Sequence, residues 1–152
     1  MHTTVFRPLI AGMALAALLA TGSAAVAAQF KFRATLTCGG EVPPLSCNGT
    51  GTVNATLDTS SNQLTWTATY RGLTGKVIGA HFHGPVSYVG NTSEQNAPIQ
   101  VGTPGALGSP FKGSTNITAT QAGDLRDGRW YFNIHTPTHQ DGEIRGQLVR
   151  TN

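Results

Sequence analysis

The sequence predicts an all-β sandwich or barrel. After residue 28, short runs of alternating apolar and polar residues recur between turn-forming residues, the mark of half-buried strands. Helical periodicity is hard to find over the same region. Glycine is abundant, at 19 residues, and Thr, Val and Asn are frequent.

The first residues read differently. Leu9 to Ala20 is almost entirely apolar, Arg7 precedes it, and Ser23-Ala24-Ala25-Val26-Ala27-Ala28 follows. A basic start, an apolar centre and a small-residue exit describe a secretory signal peptide over residues 1–28, cleaved near Ala28. A membrane anchor is the rival. The apolar run is shorter than the roughly 20 residues a span needs, and Gly12 and Gly22 interrupt or end it. Residues 29–152 then form a single domain, exported to a periplasm or outside the cell. Loss of Arg7 lowers a formal charge of only +3, which is too weak and too scattered to imply nucleic acid. No basic amphipathic helix points to a membrane surface.

Taken in order, Gln29 to Thr37 alternates Phe30 and Phe32 with Lys31 and Arg33, a first strand. Cys38 to Gly51 is a Gly- and Pro-rich loop. Gly51 to Asp58 and Gln63 to Tyr70 form a hairpin across Asp58-Thr59-Ser60-Ser61-Asn62. In its second arm Leu64, Trp66, Ala68 and Tyr70 share a face, with threonines on the other. Val77 to His83 is the next strand. Residues 84–108 read as a long irregular connection, interrupted by Ile99-Gln100-Val101. Phe111 to Ile117 is an edge strand, and Thr120 to Leu125 a single helical turn. Trp130 to His135 and Glu143 to Arg150 are the last two strands.

Cys38 and Cys47 are the only cysteines. In an oxidising compartment they are expected to form one disulfide around Pro43-Pro44, contributing roughly 2–3 kcal/mol. Two metal-bound thiolates are the rival, although the spacing is not the tight pair of a zinc ribbon.

Side chains at i and i+2 of a strand share a face. His81 and His83 therefore point together and Phe82 points away. Tyr131, Asn133 and His135 lie opposite Trp130, Phe132 and Ile134, while Glu143, Arg145 and Gln147 lie opposite Ile144, Gly146 and Leu148. If these strands are neighbours, one polar face gathers them. A His-x-His pair alone is also explained by chance surface histidines. A second pair, His135 and His139, favours a metal site built from His81, His83, His135 and His139. With Met1 and Met13 in the leader and the cysteines paired, sulfur is absent from the site. Imidazole-rich sites without sulfur suit copper first and zinc second. Glu143 is a candidate extra ligand or a partner fixing an imidazole; a cross-strand pair with Arg145 is the plainer reading. Asn133 is a candidate hydrogen-bonding neighbour of the ligands. Trp66 and Trp130 read as core. There is no Gly-x-Ser-x-Gly elbow, phosphate-cradling loop or His-Glu-x-x-His helix.

Several of these pieces together resemble a known family. Glu41-Val42-Pro43-Pro44, Leu64-Thr65-Trp66 leading to Tyr70-Arg71-Gly72-Leu73-Thr74, Ala80-His81-Phe82-His83-Gly84-Pro85, and Asn133-Ile134-His135-Thr136 with His139 and Gly142-Glu143-Ile144-Arg145-Gly146-Gln147-Leu148 occur in order. The chain resembles the CHRD domain, the chordin-type module also found alone in secreted bacterial proteins. That resemblance implies an immunoglobulin-like Greek-key β-sandwich and says little about activity. A local similarity to copper-zinc superoxide dismutases, which also carry a His-x-His pair on a Greek-key strand, implies a copper-dependent dismutase with Arg145 guiding the anion. The expectation is an exported copper-binding protein that handles copper and dismutates superoxide. The competing expectation is an extracellular protein- or glycan-interaction module without a metal.

Overall fold

The computed structural model describes residues 28–87, 95–105 and 107–152. The expected signal peptide, apart from Ala28, and part of the 84–108 connection lie outside the described residues.

The described chain forms β1 (Gln29–Thr37), a 3-10 turn (Cys38–Gly40), β2 (Thr50–Asp58), β3 (Gln63–Arg71), β4 (Gly79–His83), β5 (Ile99–Gly102), β6 (Phe111–Asn116), α1 (Ala119–Arg126), β7 (Tyr131–His135), β8 (Ile144–Gln147) and β9 (Val149–Arg150). The strands lie in the order β5-β4-β7-β8-β1-β2-β3-β6, and β9 also pairs with β1. The pairings are antiparallel, and β4–β7, β8–β1 and β3–β6 join strands that are not consecutive. These crossovers are of Greek-key type.

Strand β1 meets β8 at the single register pair Thr37 with Arg145, and the sheet turns a corner there. Its two leaves face one another. Trp66 of β3 meets Phe82 of β4 with ring centroids 5.2 Å apart, and Phe111 of β6 meets Phe132 of β7 at 6.4 Å. The result is the all-β, immunoglobulin-like Greek-key sandwich that the sequence predicts, nearly closed into a barrel.

Alternation dictates which residues enter the core. Phe32, Ala34 and Leu36 of β1, Val53, Ala55 and Leu57 of β2, and Leu64, Trp66 and Ala68 of β3 are buried. Each large side chain buried this way contributes roughly 1.5–3 kcal/mol. A one-residue slip would put this whole set in water, so the register is firmly specified. The β2–β3 hairpin turns at Asn62, which sits at φ 53°, while the Asp58 carboxylate accepts from the Ser60 N–H and hydroxyl.

Four elements differ from the expectation. The strand expected from Val77 begins at Gly79. Ile99-Gln100-Val101 is strand β5, pairing with the open side of β4. The expected single helical turn is the eight-residue α1. Thr118 accepts from the Gln121 N–H and the Gln121 side chain accepts from the Thr118 N–H, a reciprocal cap, while Ala122 and Leu125 are buried beneath it. The last expected strand splits at Leu148. Its N–H donates to the Trp130 carbonyl, after which Val149 and Arg150 pair with Arg33 and Phe32 of β1.

Candidate metal centre

Three adjacent strands, β4, β7 and β8, carry the site on the face turned away from the core. The register sets Gly79 opposite His135, His81 opposite Asn133, His83 opposite Tyr131, and Asn133 opposite Arg145. This brings His81, His83 and His135 together, with one ligating atom from each within 4.8 Å of the others. No side chain at Gly79 crowds the group; a Cβ there would come within 3.2 Å of the His81 ring.

Hydrogen bonds fix how the rings present their nitrogens. His83 Nδ1 lies 2.8 Å from the Ala97 carbonyl and His135 Nδ1 lies 2.8 Å from the Gln140 carbonyl. A carbonyl only accepts, so each Nδ1 carries the proton and each Nε2 is left with its lone pair. His83 Nε2 is buried and has no hydrogen-bond partner. His135 Nε2 faces His81 Nδ1 at 2.9 Å. Burial is the main reason all three imidazoles titrate below their ordinary value; for His81 the neighbouring His135 and His83 add to it, and its pKa falls to about 4. At neutral pH the cluster is three neutral nitrogen donors, the form a metal takes.

A polar layer covers this face. The Arg145 guanidinium lies 3.4 Å above the Tyr131 ring, and Tyr131 stacks on His83 with centroids 4.9 Å apart and planes 3° from parallel. Arg145 donates to the Asn96 side-chain oxygen at 2.9 Å and to the Gln95 carbonyl at 2.8 Å. Asn96 donates in turn to the Val42 carbonyl, and the Ala97 N–H donates to the Tyr131 hydroxyl. Residues 95–97 are thus tied to the strands below, and the carbonyl that orients His83 belongs to this roof.

Several expectations are corrected here. His139 is not part of the cluster. Its backbone closes the turn after β7, exchanging hydrogen bonds with Thr136, and no strand periodicity carries its side chain to the face of His135. Glu143 lies outside the group of His81, His83 and His135; the imidazole whose charge it feels is His139. Its carboxylate accepts from the Thr74 N–H and hydroxyl, both at 2.8 Å, and from the Thr136 hydroxyl at 2.6 Å. Burial opposes its charge, but these hydrogen bonds prevail and hold the carboxyl below its ordinary range. Arg145 is 3% exposed and engaged with the roof, not displayed to solvent as an anion guide. Cys38 and Cys47 form the expected disulfide, which removes them as thiolate ligands. Asn133 lies opposite His81 beside the histidine cluster; its amide donates to the Asp141 carbonyl, and its oxygen is buried without a hydrogen-bond partner.

Glu41 was visible in the sequence only as part of a family motif. It is 5% exposed, and one of its carboxyl oxygens has no hydrogen-bond partner. Burial raises its pKa to about 7, with Arg145 and Asn133 pulling down and Asp141 pushing up. A Cβ at Gly142, which sits at φ 131°, would collide with this carboxyl. The available signal was a lone carboxylate in a short segment between Cys38 and Pro43, too local to reveal what packs on it.

Fold and site together define an all-β module with a three-histidine cluster on one sheet face. The CHRD domain model matches residues 32–148, and the chain belongs to that family. Neither the curated proteins nor the solved structures include a match to this chain. Among the described residues no helix is long and apolar enough to cross a membrane.

Proposed function

We propose that this protein is an exported copper-binding protein whose metal sits between His81, His83 and His135. One observation carries the reading: three imidazole nitrogens converge, and the proton positions of two are already set by backbone carbonyls. Fixing ligand tautomers in this way is what outer-shell partners do at metal sites. An all-imidazole donor set suits both copper and zinc, and copper is put first because Cu(II) binds a given nitrogen site more tightly than Zn(II). Bound copper would supply one-electron redox chemistry. The protein's own residues hold and orient it, and the roof at 95–97 limits access to it.

The disulfide agrees with export, and the leader at residues 1–28 belongs to the same proposal. Copper sequestration or delivery follows from binding alone. Superoxide dismutation is the enzymatic extension, and it requires the anion to reach the metal past the buried Arg145.

The test is metal content of the protein from its native compartment, followed by EPR after Cu(II) addition. One copper per chain with a nitrogen-rich spectrum, lost in His81→Ala and His135→Ala, is the expected result. No metal, with weak copper uptake that these substitutions leave unchanged, would overturn the reading in favour of a metal-free interaction module. A dismutase assay on the loaded protein then separates carrier from enzyme.

A further inference from the structure

The opposite leaf carries a second surface with its own chemistry. The outward residues of β1, β2, β3 and β6 are hydroxyls, amides and cations, with Asp58 at one end the exception. The register aligns Arg33, Asn54, Thr67 and Lys112 in one row across four strands. At the usual strand spacing that row spans about 14 Å. Lys31, Thr56, Thr65 and Ser114 form the adjacent row. Lys31, Arg33, Arg71 and Lys112 are exposed. None of them is in an ion pair, since Arg129 with Asp124 is the one such pair among the described residues.

Two depressions mark this face. One, of about 390 Å³, runs between Thr35 and Arg71 over Gly51. The other, of about 360 Å³, runs from Asn54 to Lys112 beside Gly113. Each is lined by threonines and contains a cation.

We infer that this face binds an acidic polysaccharide, its cations meeting the carboxylates or sulfates and its threonine and asparagine side chains meeting the sugar hydroxyls. Charge complementarity calls for an anion. The rest of the face selects among polyanions. The aromatic residues that line its two depressions are the half-buried Tyr70 and the buried Trp66, so no fully exposed ring is offered to stack a nucleobase. The single exposed apolar side chain beside these rows is Val149 of β9, opposite Arg33, which is too little to enter a lipid surface. Rows of hydroxyls and amides on a firmly paired sheet suit a polyhydroxylated chain, and their order is fixed by the fold before any ligand arrives.

The experiment measures binding of the full chain to alginate, with neutral dextran as control, in EDTA so that no metal bridges the two. The salt is held at about 0.15 M to screen diffuse attraction. The expected result is binding to alginate and not to dextran, weakened roughly tenfold or more in Arg33→Glu/Lys112→Glu. The control Lys76→Glu/Arg126→Glu carries the same charge change at exposed positions off this face and should bind as the unaltered protein does. No alginate binding, or equal loss in both double variants, would overturn the inference. So would tighter binding to duplex DNA or to phosphatidylserine vesicles than to alginate. Because EDTA removes the metal, this result stands apart from the fate of the copper reading.

Discussion

The Nδ1 atom of His81 lies 2.9 Å from the Nε2 atom of His135. Since His135 donates through its own Nδ1 to Gln140, His81 carries the proton that joins the two rings. To offer a lone pair at that point, His81 must move its proton to Nε2, whereas His83 and His135 already present theirs. Nitrogen NMR of the imidazoles should therefore report a tautomer change at His81 alone when a diamagnetic ion such as Zn(II) or Cu(I) is added. Unchanged His81 with altered His83 would reverse this assignment of ligand atoms.

Removing a ligand should be far more costly than removing the excluded histidine. His135→Ala is expected to weaken Cu(II) binding on the order of 100-fold or more, given that even outer partners of metal ligands are worth about 10–100-fold. His139→Ala should leave affinity unchanged, because its side chain lies outside the cluster. Calorimetric titration of both variants decides the point, and a comparable loss in His139→Ala would restore it as a ligand.

The neutral imidazoles make the metal-free protein sensitive to acid. The ordinary histidine value is 6.5, and His81 in the fold titrates at about 4. Below 6.5 the unfolded chain takes up protons that the folded chain refuses. The contribution of this group is intact above 6.5 and declines as pH falls towards 4. Thermal melts of the apoprotein should show His81→Asn losing less stability over that interval than the unaltered protein. Parallel profiles would count against a depressed pKa.

Glu41 works in the other direction. Its ordinary value is 4.5 and its folded value about 7, so the folded chain keeps a proton that the unfolded chain releases. Stability therefore falls as pH rises from 4.5 to 7. Glu41→Gln removes this dependence at nearly unchanged size. Its advantage over the unaltered apoprotein should grow through that window to on the order of 2–3 kcal/mol. The histidine and Glu41 trends oppose one another over much of the same range, so the single variants, not the parent profile, carry the test. A difference independent of pH would mean that Glu41 is ionised throughout.

The disulfide should influence the metal site indirectly. Cys38 and Cys47 close the loop that holds Glu41 and Val42, and the Val42 carbonyl accepts from Asn96 beside the residue that orients His83. Cys38→Ser/Cys47→Ser is expected to lower stability by about 2–3 kcal/mol. It should also weaken copper binding, by less than a ligand substitution does. Denaturant unfolding and copper titration of the double variant measure the two effects. Full copper affinity in a protein that has lost stability would uncouple the loop from the site.

The alternation of Phe32, Ala34 and Leu36 with charged and hydroxyl neighbours was enough to place β1, and the same pattern placed the β2–β3 hairpin. It also put His81 with His83, and Asn133 with His135, on faces opposite the core, because side-chain direction in a strand is a local property with period two. That β4, β7 and β8 are neighbours is a matter of pairing between distant segments, and only the tertiary structure decided it. The loop residues lay beyond any period. His139, four positions from His135, looked like a ligand, but the turn at Thr136 withholds it. Glu143 looked like a site carboxylate, but Thr74, far away in sequence, claims it. Glu41 and the carbonyls of Ala97 and Gln140 gave no usable signal, since a carbonyl is common to every residue and a lone glutamate is usually solvated. By itself the sequence determined most of the strands, their two faces and a set of four candidate imidazoles that contains the three brought together. The folded chain decided which histidine is left out, which carboxyl is buried and which nitrogens are free to bind, because those depend on contacts between segments that no local pattern encodes.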